Sequence, residues 1–108
     1  MNKGEIWLVE LSFPVGHEQT GTRPAIIMAD LEANICIVVP LTSNIQALRF
    51  PHTVEIKKSD KNGLEEDSVA LVFQLRAIDK SRLKKKVGYL ENTSLTKIDG
   101  MIKKILGI

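Results

Sequence analysis

Two short polar segments contain the side chains of this sequence that could act on a phosphate or a carboxylate. Arg23 follows a glycine-containing polar stretch and directly precedes Pro24 and an apolar run. An arginine at the start of a strand can donate two parallel hydrogen bonds to a phosphate, or it can be structural and pair with Glu18. Residues 40–44 (Pro-Leu-Thr-Ser-Asn) end another apolar run. Their hydroxyl and amide groups suit hydrogen bonding or proton transfer, although the same residue types also favour turns.

Strand pairing predicts that these two segments meet. Residues 25–29 and 35–39 are apolar and are separated by a polar turn at residues 30–34, which predicts a β-hairpin. Because Arg23 precedes the first strand and Thr42 follows the second, an antiparallel hairpin brings both residues to one end of the sheet. The sequence therefore predicts a site that combines a guanidinium group with a hydroxyl group.

The wider pattern predicts five to seven short strands followed by a helix, in an α+β arrangement or a small barrel. The first strand is apolar on both faces, which indicates a central position. Pro40, near the end of the third strand, favours an edge or a bulge. The predicted elements are strands at 5–11, 25–29, 35–39, 53–57 and 68–73, one or two helical turns that begin at Asp79 and close at Gly88, and a helix capped by Thr93 or Ser94 that ends before Gly107.

Length and composition indicate an ordinary globular protein. The chain has 108 residues, 44% of them hydrophobic and 26% charged, so we expect one domain over residues 1–108. Cys36, the only cysteine, cannot form an internal disulfide and is expected to lie buried in a strand. No spacing of histidines and carboxylates resembles a metal site, so no metal or cofactor is predicted. With no apolar run of about 20 residues and no signal-peptide core, we expect a cytoplasmic protein.

Charge is unevenly distributed along the chain. The formal net charge is +2, but residues 1–54 carry three basic and five acidic side chains, whereas residues 55–108 carry twelve basic and eight acidic ones. This asymmetry predicts a polarised surface. We interpret the lysine run at residues 84–86 as a solvated face rather than a phosphate clamp.

Four segments in order resemble the MazF/PemK family of toxins, and the resemblance covers almost the whole chain. Residues 4–11 (GEIWLVEL) resemble the opening strand of that family, which more often has aspartate at the position of Glu5. Residues 16–24 (GHEQTGTRP) resemble its signature loop, G-x-E-Q-x-G-x-R-P. Residues 40–43 (PLTS) match its second signature, and residues 67–83 resemble its third conserved region.

The resemblance implies an SH3-like small barrel of the MazF/PemK/CcdB type, mostly β, with a C-terminal helix, and a homodimer. It implies a toxin of a type II toxin–antitoxin module that is inhibited by a cognate antitoxin. Its expected activity is sequence-specific, metal-independent cleavage of single-stranded RNA by the ribose 2′-hydroxyl, which yields a 2′,3′-cyclic phosphate and a 5′-hydroxyl. The catalytic pair of the family corresponds to Arg23 and Thr42.

Further residues are candidates for contact with RNA, because reading unpaired bases needs exposed polar groups and stacking surfaces. His17 could transfer a proton, but we favour a role in lining the groove. Phe50 could stack on a base, although we favour packing in the core. The candidate RNA contacts are His17, Gln19, Ser43, Gln46, Phe50 and Pro51.

The main alternative is a non-catalytic toxin of the same fold that binds DNA gyrase or another protein, because a fold does not determine a function. Arg23 together with Thr42 favours the nuclease, since a protein-binding relative does not need that pair. A general nucleic-acid binder is disfavoured by an aromatic content of only 5%.

Overall fold

The computed structural model describes residues 1–11 and 21–108. Within these residues the chain forms seven strands, three short 3₁₀ turns and one α-helix, so the predicted mostly-β fold with a C-terminal helix is confirmed. The elements are β1 (Glu5–Leu11), β2 (Gly21–Asp30), β3 (Ile35–Thr42), a 3₁₀ turn (Ile45–Arg49), β4 (Thr53–Ile56), β5 (Ser68–Leu71), a 3₁₀ turn (Val72–Gln74), β6 (Arg76–Asp79), a 3₁₀ turn (Lys80–Arg82), β7 (Leu83–Tyr89) and α1 (Asn92–Leu106).

Strand β3 links two antiparallel layers because its two halves pair with different neighbours. One layer runs β6-β3-β2-β1-β7 and the other β3-β5-β4. The last β3–β6 pair is at Val38 and the first β3–β5 pair is at Leu41, so Pro40 lies where the neighbour changes. The edge position predicted from Pro40 is therefore wrong. An interior strand tolerates this proline because no β6 or β5 residue pairs with it.

The strands β1 to β3 are buried on both faces, as their apolar sequences predict. Alternate residues belong to two separate core clusters: Ile6 and Ile26 lie in one, and Val9 and Ala25 lie in the other. Cys36 is fully buried in the second cluster, which confirms its predicted place. Burial raises the pKa of its thiol.

Helix α1 covers the first core cluster with a single apolar stripe. Ile98 is fully buried there, and Leu95, Met101 and Ile102 pack around it. The helix begins at Asn92 and not after a Thr93 or Ser94 cap. Glu91 occupies the N-cap position with its side chain bonded elsewhere. The predicted end is confirmed, since Gly107 adopts the left-handed conformation (φ 72°) and closes the last turn. No helix in the described part of the chain is long and apolar enough to cross a membrane.

The start of β2 and the region after Asp79 differ from the sequence-based expectation. Strand β2 begins at Gly21 rather than residue 25, because residues 21–24 pair with β1 although they carry no apolar alternation. The helical region expected from Asp79 is only one 3₁₀ turn, in which the Asp79 carboxylate accepts the Ser81 N–H at 2.8 Å. The chain then continues as β7, which pairs with β1.

Candidate active site

A cavity of about 600 Å³ lies where the end of β3, the start of β2 and strand β7 meet. The β2–β3 ladder ends where Ala25 is opposite Pro40, with Arg23 two residues before Ala25 and Thr42 two residues after Pro40. Both residues line the cavity. The expected meeting of Arg23 and Thr42 at one end of the sheet therefore agrees with the structure, and their catalytic role remains a prediction.

Thr42 has a well-defined local environment at the end of β3. Its side chain is half-buried, and its Oγ1 accepts the backbone N–H of Asn44 at 3.2 Å. Asn44 in turn caps the following 3₁₀ turn, as its Oδ1 accepts the N–H of Gln46 at 3.1 Å. Because the backbone donates to Thr42 Oγ1, the hydroxyl proton remains available for donation to a ligand.

Arg23 is half-buried and lies inside β2 rather than in a loop before it. It is paired across the sheet with Val9 of the central strand β1. A side chain carried by a strand with paired neighbours is held more precisely than one carried by a loop. The guanidinium group is thus positioned by the core of the sheet, which suits a group that must meet a phosphate in one geometry.

Strand β7 forms one wall of the cavity through Lys85, Lys86 and Val87. Lys86 Nζ lies 3.4 Å from Glu5 Oε2 and also bonds to the Tyr89 hydroxyl. Glu5 is buried, and Trp7 Nε1 donates to its Oε1 at 2.9 Å. Burial alone would raise the pKa of Glu5, but the Trp7 hydrogen bond and Lys86 together hold it below its ordinary value. The ionised Glu5 carboxylate therefore connects β1 to this wall through its ion pair with Lys86.

The second wall is a turn that is organised around the buried side chain of Asn62. Asn62 Oδ1 accepts the N–H groups of Ser59 at 3.0 Å and of Leu64 at 3.1 Å. Its Nδ2 donates to the Lys57 carbonyl at 2.8 Å and to Glu91 Oε1 at 3.1 Å. One side chain thus replaces several backbone partners and fixes the path of the turn.

The turn is also pressed directly against β7. Gly63 has a φ of 68°, and a Cβ atom there would lie 2.2 Å from the Val87 carbonyl oxygen, so only glycine fits. After Gly63 the chain presents Glu65 and Glu66 to the cavity. These two carboxylates therefore line the same cavity as Arg23 and Thr42. Across the described residues, no cluster of three or more His, Cys, Asp or Glu side chains could hold a metal ion.

The other predicted contact residues lie in different places. Ser43 lines the cavity beside Thr42. Gln46 is exposed in the 3₁₀ turn that follows, and Pro51 is exposed before β4, and neither of them lines the cavity. His17 and Gln19 lie outside the described residues, so their proposed contact with RNA remains a prediction.

The favoured core packing of Phe50 is wrong. Its side chain is 46% exposed and lies beside Phe73, with 6.1 Å between the ring centroids. The guanidinium carbon of Arg49 lies 5.1 Å from the Phe50 ring centroid. From the same segment, it is Ala47 and not Phe50 that packs in a core cluster, with Val69 and Leu71 of β5. Stacking on an RNA base remains a prediction for Phe50.

Sequence reasoning missed the two walls of the cavity. Lys85 and Lys86 belong to a run of three like charges, which has no apolar alternation to indicate a strand. Glu65 and Glu66 belong to a run of three acidic residues between a turn and a strand, a pattern that usually indicates a solvated loop. The signal that could have identified β7 is the pair of strand-forming residues Val87 and Tyr89, next to Gly88, directly after the lysines.

Comparisons with known proteins agree on one family. Residues 2–106 match the family described as PemK-like, MazF-like toxin of type II toxin-antitoxin system. The chain is 38% identical to the endoribonuclease MazF of Staphylococcus saprophyticus subsp. saprophyticus over 112 aligned positions, which cover 100% of this chain and 92% of that protein.

Solved structures share the fold at lower sequence identity. MazF from Deinococcus radiodurans superposes with a TM-score of 0.81 at 22% identity, covering 100% of this chain and 97% of that one. An endoribonuclease from a mycobacterial species, solved in complex with its cognate antitoxin, superposes with a TM-score of 0.75 at 18% identity, covering 98% and 94%. With the family match over almost the full length, these findings show that the chain belongs to the PemK-like, MazF-like toxins of type II toxin–antitoxin systems.

Proposed function

We propose that this toxin is a sequence-specific endoribonuclease that cleaves single-stranded RNA, including mRNA, without a metal ion. The observation that carries the proposal is the meeting of Arg23 and Thr42 at one cavity lined by polar groups. Its membership of the toxin family and its similarity to a protein named endoribonuclease MazF support the same activity.

The proposed reaction is an internal transesterification of the RNA strand. The 2′-oxygen of one ribose attacks the adjacent phosphorus and loses its proton to a carboxylate such as Glu65 or Glu66. The bond from phosphorus to the 5′-oxygen of the next nucleotide breaks, and that oxygen takes up a proton as the carboxyl group gives its proton back, so one proton moves in net from the 2′-oxygen to the 5′-oxygen. The products are a 2′,3′-cyclic phosphate and a 5′-hydroxyl, so the atoms balance without water or a cofactor.

Arg23 and Thr42 would supply the stabilisation that this reaction needs. Negative charge grows on the non-bridging phosphate oxygens in the transition state, and a guanidinium group can stabilise that charge through two parallel hydrogen bonds. The Thr42 hydroxyl can donate to one of those oxygens because its own oxygen already accepts the Asn44 N–H. Stabilising developing charge is usually the largest single contribution to catalysis.

We also propose that the toxin acts as a homodimer in the cytoplasm and that a cognate antitoxin inhibits it. An acidic, partly disordered antitoxin segment laid over the Arg23 cavity would exclude RNA and neutralise the basic wall. The similar structures include toxin–antitoxin pairs, among them a mycobacterial endoribonuclease with its cognate antitoxin and MazE–MazF from Deinococcus radiodurans.

The decisive experiment incubates the purified protein with mixed-sequence RNA in excess chelator and maps the new ends. We expect cleavage at a short motif that survives chelation and falls by at least about a hundredfold in Arg23→Ala. Arg23→Lys should not restore it, because lysine cannot form the paired hydrogen bonds. Intact RNA, or cleavage that requires magnesium, would contradict the proposal. Intact RNA with growth inhibition retained would favour the alternative toxin that binds gyrase or another protein.

A further inference from the structure

The three consecutive lysines of β7 are in different electrostatic situations. Lys84 Nζ lies 3.3 Å from Glu10 Oε2, and Lys86 Nζ lies 3.4 Å from Glu5 Oε2, so the charges of both are paired with carboxylates of β1. Lys85 is exposed and has no ion pair or hydrogen bond among the residues that the structure describes. The lysine run therefore leaves one ammonium group available to a ligand.

The sheet register places Lys85 on the cavity. Lys85 pairs with Leu8 of β1, and Leu8 pairs on its other side with Pro24 of β2, so the three form one row across three strands. All three line the cavity. Neighbouring strands are about 4.8 Å apart, so the backbone of Lys85 lies roughly 10 Å from the strand that carries Arg23. Lys85 and Arg23 therefore enter the cavity from two strands on opposite sides of β1, so an RNA strand that crosses the cavity can present a different phosphate to each of them.

We propose that Lys85 binds a phosphodiester of the RNA next to the scissile one, and thereby positions the strand across the cavity. The inference rests on the proposed function, because Arg23 is taken to hold the scissile phosphate. A flexible lysine suits this role, since contacts to backbone phosphates set the register of a nucleic acid without reading its sequence. Beyond the scissile phosphate, which Arg23 holds near Glu65 and Glu66, these carboxylates repel further phosphates, so the neighbouring part of the RNA backbone follows β7 and not the turn.

The first test compares Lys85→Ala with Lys84→Ala, a matched removal of one positive charge from the adjacent position. On an RNA that contains the mapped cleavage motif, Lys85→Ala should raise KM roughly three- to tenfold with kcat and the cleavage position unchanged. The slope of log KM against log salt concentration should also decrease by about 0.7, the value for one phosphate contact on a single strand. Lys84→Ala should change KM by less than about twofold relative to the wild type, because the Lys84 ammonium group is already paired with the Glu10 carboxylate.

A second test identifies the phosphate. Oligonucleotides with one neutral methylphosphonate linkage on either side of the cleaved bond are assayed with the wild type and with Lys85→Ala. At the contacted position the linkage should raise KM for the wild type but cause little further increase for the variant. At the other positions, the increase in KM caused by the linkage and the increase caused by Lys85→Ala should multiply, because the two changes are independent there. Multiplicative effects at every linkage would overturn the proposal.

The failure of this inference is distinguishable from failure of the proposed function. If the wild type cleaves RNA in chelator and Lys85→Ala behaves like Lys84→Ala, Lys85 is only a solvated residue and the nuclease assignment stands. If the wild type leaves all RNA intact, both are overturned. Thermal unfolding of the two variants should match the wild type within about 2 °C, because both side chains are exposed.

Discussion

The Thr42 hydroxyl accepts one hydrogen bond within the fold and is proposed to donate another in the reaction. Its oxygen accepts the Asn44 N–H, and its proton is left for a phosphate oxygen. We predict that Thr42→Val, which keeps the shape and removes the hydroxyl, lowers kcat about a hundredfold. Stability should fall by only about 1 kcal/mol, since the Asn44 N–H can turn to water.

The same experiment includes two controls. Thr42→Ser keeps the hydroxyl and should stay within a few-fold of the wild type in kcat. Ser43→Ala removes the neighbouring hydroxyl and should raise KM more than it lowers kcat, as expected for a residue that only contacts RNA. Single-turnover cleavage of a defined oligonucleotide measures these rates. Wild-type kcat in Thr42→Val would remove this residue from the catalytic pair.

At the residue scale, the sequence predicted which residues come together only where the pairing of two neighbouring strands decides it. Arg23 and Thr42 could be brought together because each adjoins an apolar strand of one hairpin. Lys85 could not be assigned, because its role depends on which of three lysines lacks a carboxylate partner. Those partners, Glu5 and Glu10, lie about 80 residues earlier in the chain and are brought close only by the β1–β7 pairing.

At the scale of elements, β7 depends on β1 for its place. The two strands are paired from Glu5 with Tyr89 to Val9 with Leu83, with irregularities in the register along the way. The ion pair between the buried Glu5 carboxylate and Lys86 stabilises the end of this ladder where Glu5 pairs with Tyr89. Since β7 carries the basic wall of the cavity, this pair connects the stability of the sheet with the position of the proposed RNA contact.

Glu5 makes that connection dependent on pH. The Trp7 hydrogen bond and Lys86 outweigh the effect of burial and hold the Glu5 pKa below its ordinary value of 4.5. Ionised Glu5 therefore adds stability that is fully present above pH 4.5 and is lost as pH falls through the lower folded-state pKa. We predict that Glu5→Gln lowers the free energy of unfolding by about 1 kcal/mol at pH 7.

Urea unfolding at a series of pH values tests this effect. The difference between the wild type and Glu5→Gln should shrink as pH decreases below 4.5, where the wild-type carboxyl becomes neutral as well. Glu32→Gln is the matched control, because Glu32 is exposed in the β2–β3 turn and should change stability little at any pH. A difference for Glu5→Gln that stays constant with pH would contradict the role of its charge.

The strands and the helix also show which elements of this fold could be predicted from the sequence and which could not. Apolar runs identified β1, β3 and α1, because burial on both faces or along one stripe leaves a periodic pattern. Strand β7 and the first residues of β2 lack that pattern: residues 84–86 are lysines, and residues 21–24 are polar apart from one proline. Both segments are strands because β1, already fixed in the core, offers them hydrogen-bonding partners on its two sides.

At the scale of the whole molecule, exposed apolar side chains lie away from the core and outside the cavity. Ile45 and Leu48 are 43% and 38% exposed in the 3₁₀ turn after β3, and Phe50 and Phe73 are 46% and 45% exposed nearby. Such a group usually marks a binding surface. An arginine over one ring and a second ring beside it form the kind of platform on which unpaired bases stack.

This platform gives the last prediction, which concerns the path of RNA beyond the cavity. Phe50→Ala should raise KM for RNA roughly five- to a hundredfold, the range expected for one lost base–aromatic stack, without altering the cleavage position. Sedimentation should still give the same mass as the wild type. Leu31→Ala, a comparably exposed residue in the turn between β2 and β3, should leave KM unchanged. If Phe50→Ala instead halves the sedimenting mass, the aromatic surface joins two subunits and does not bind RNA bases.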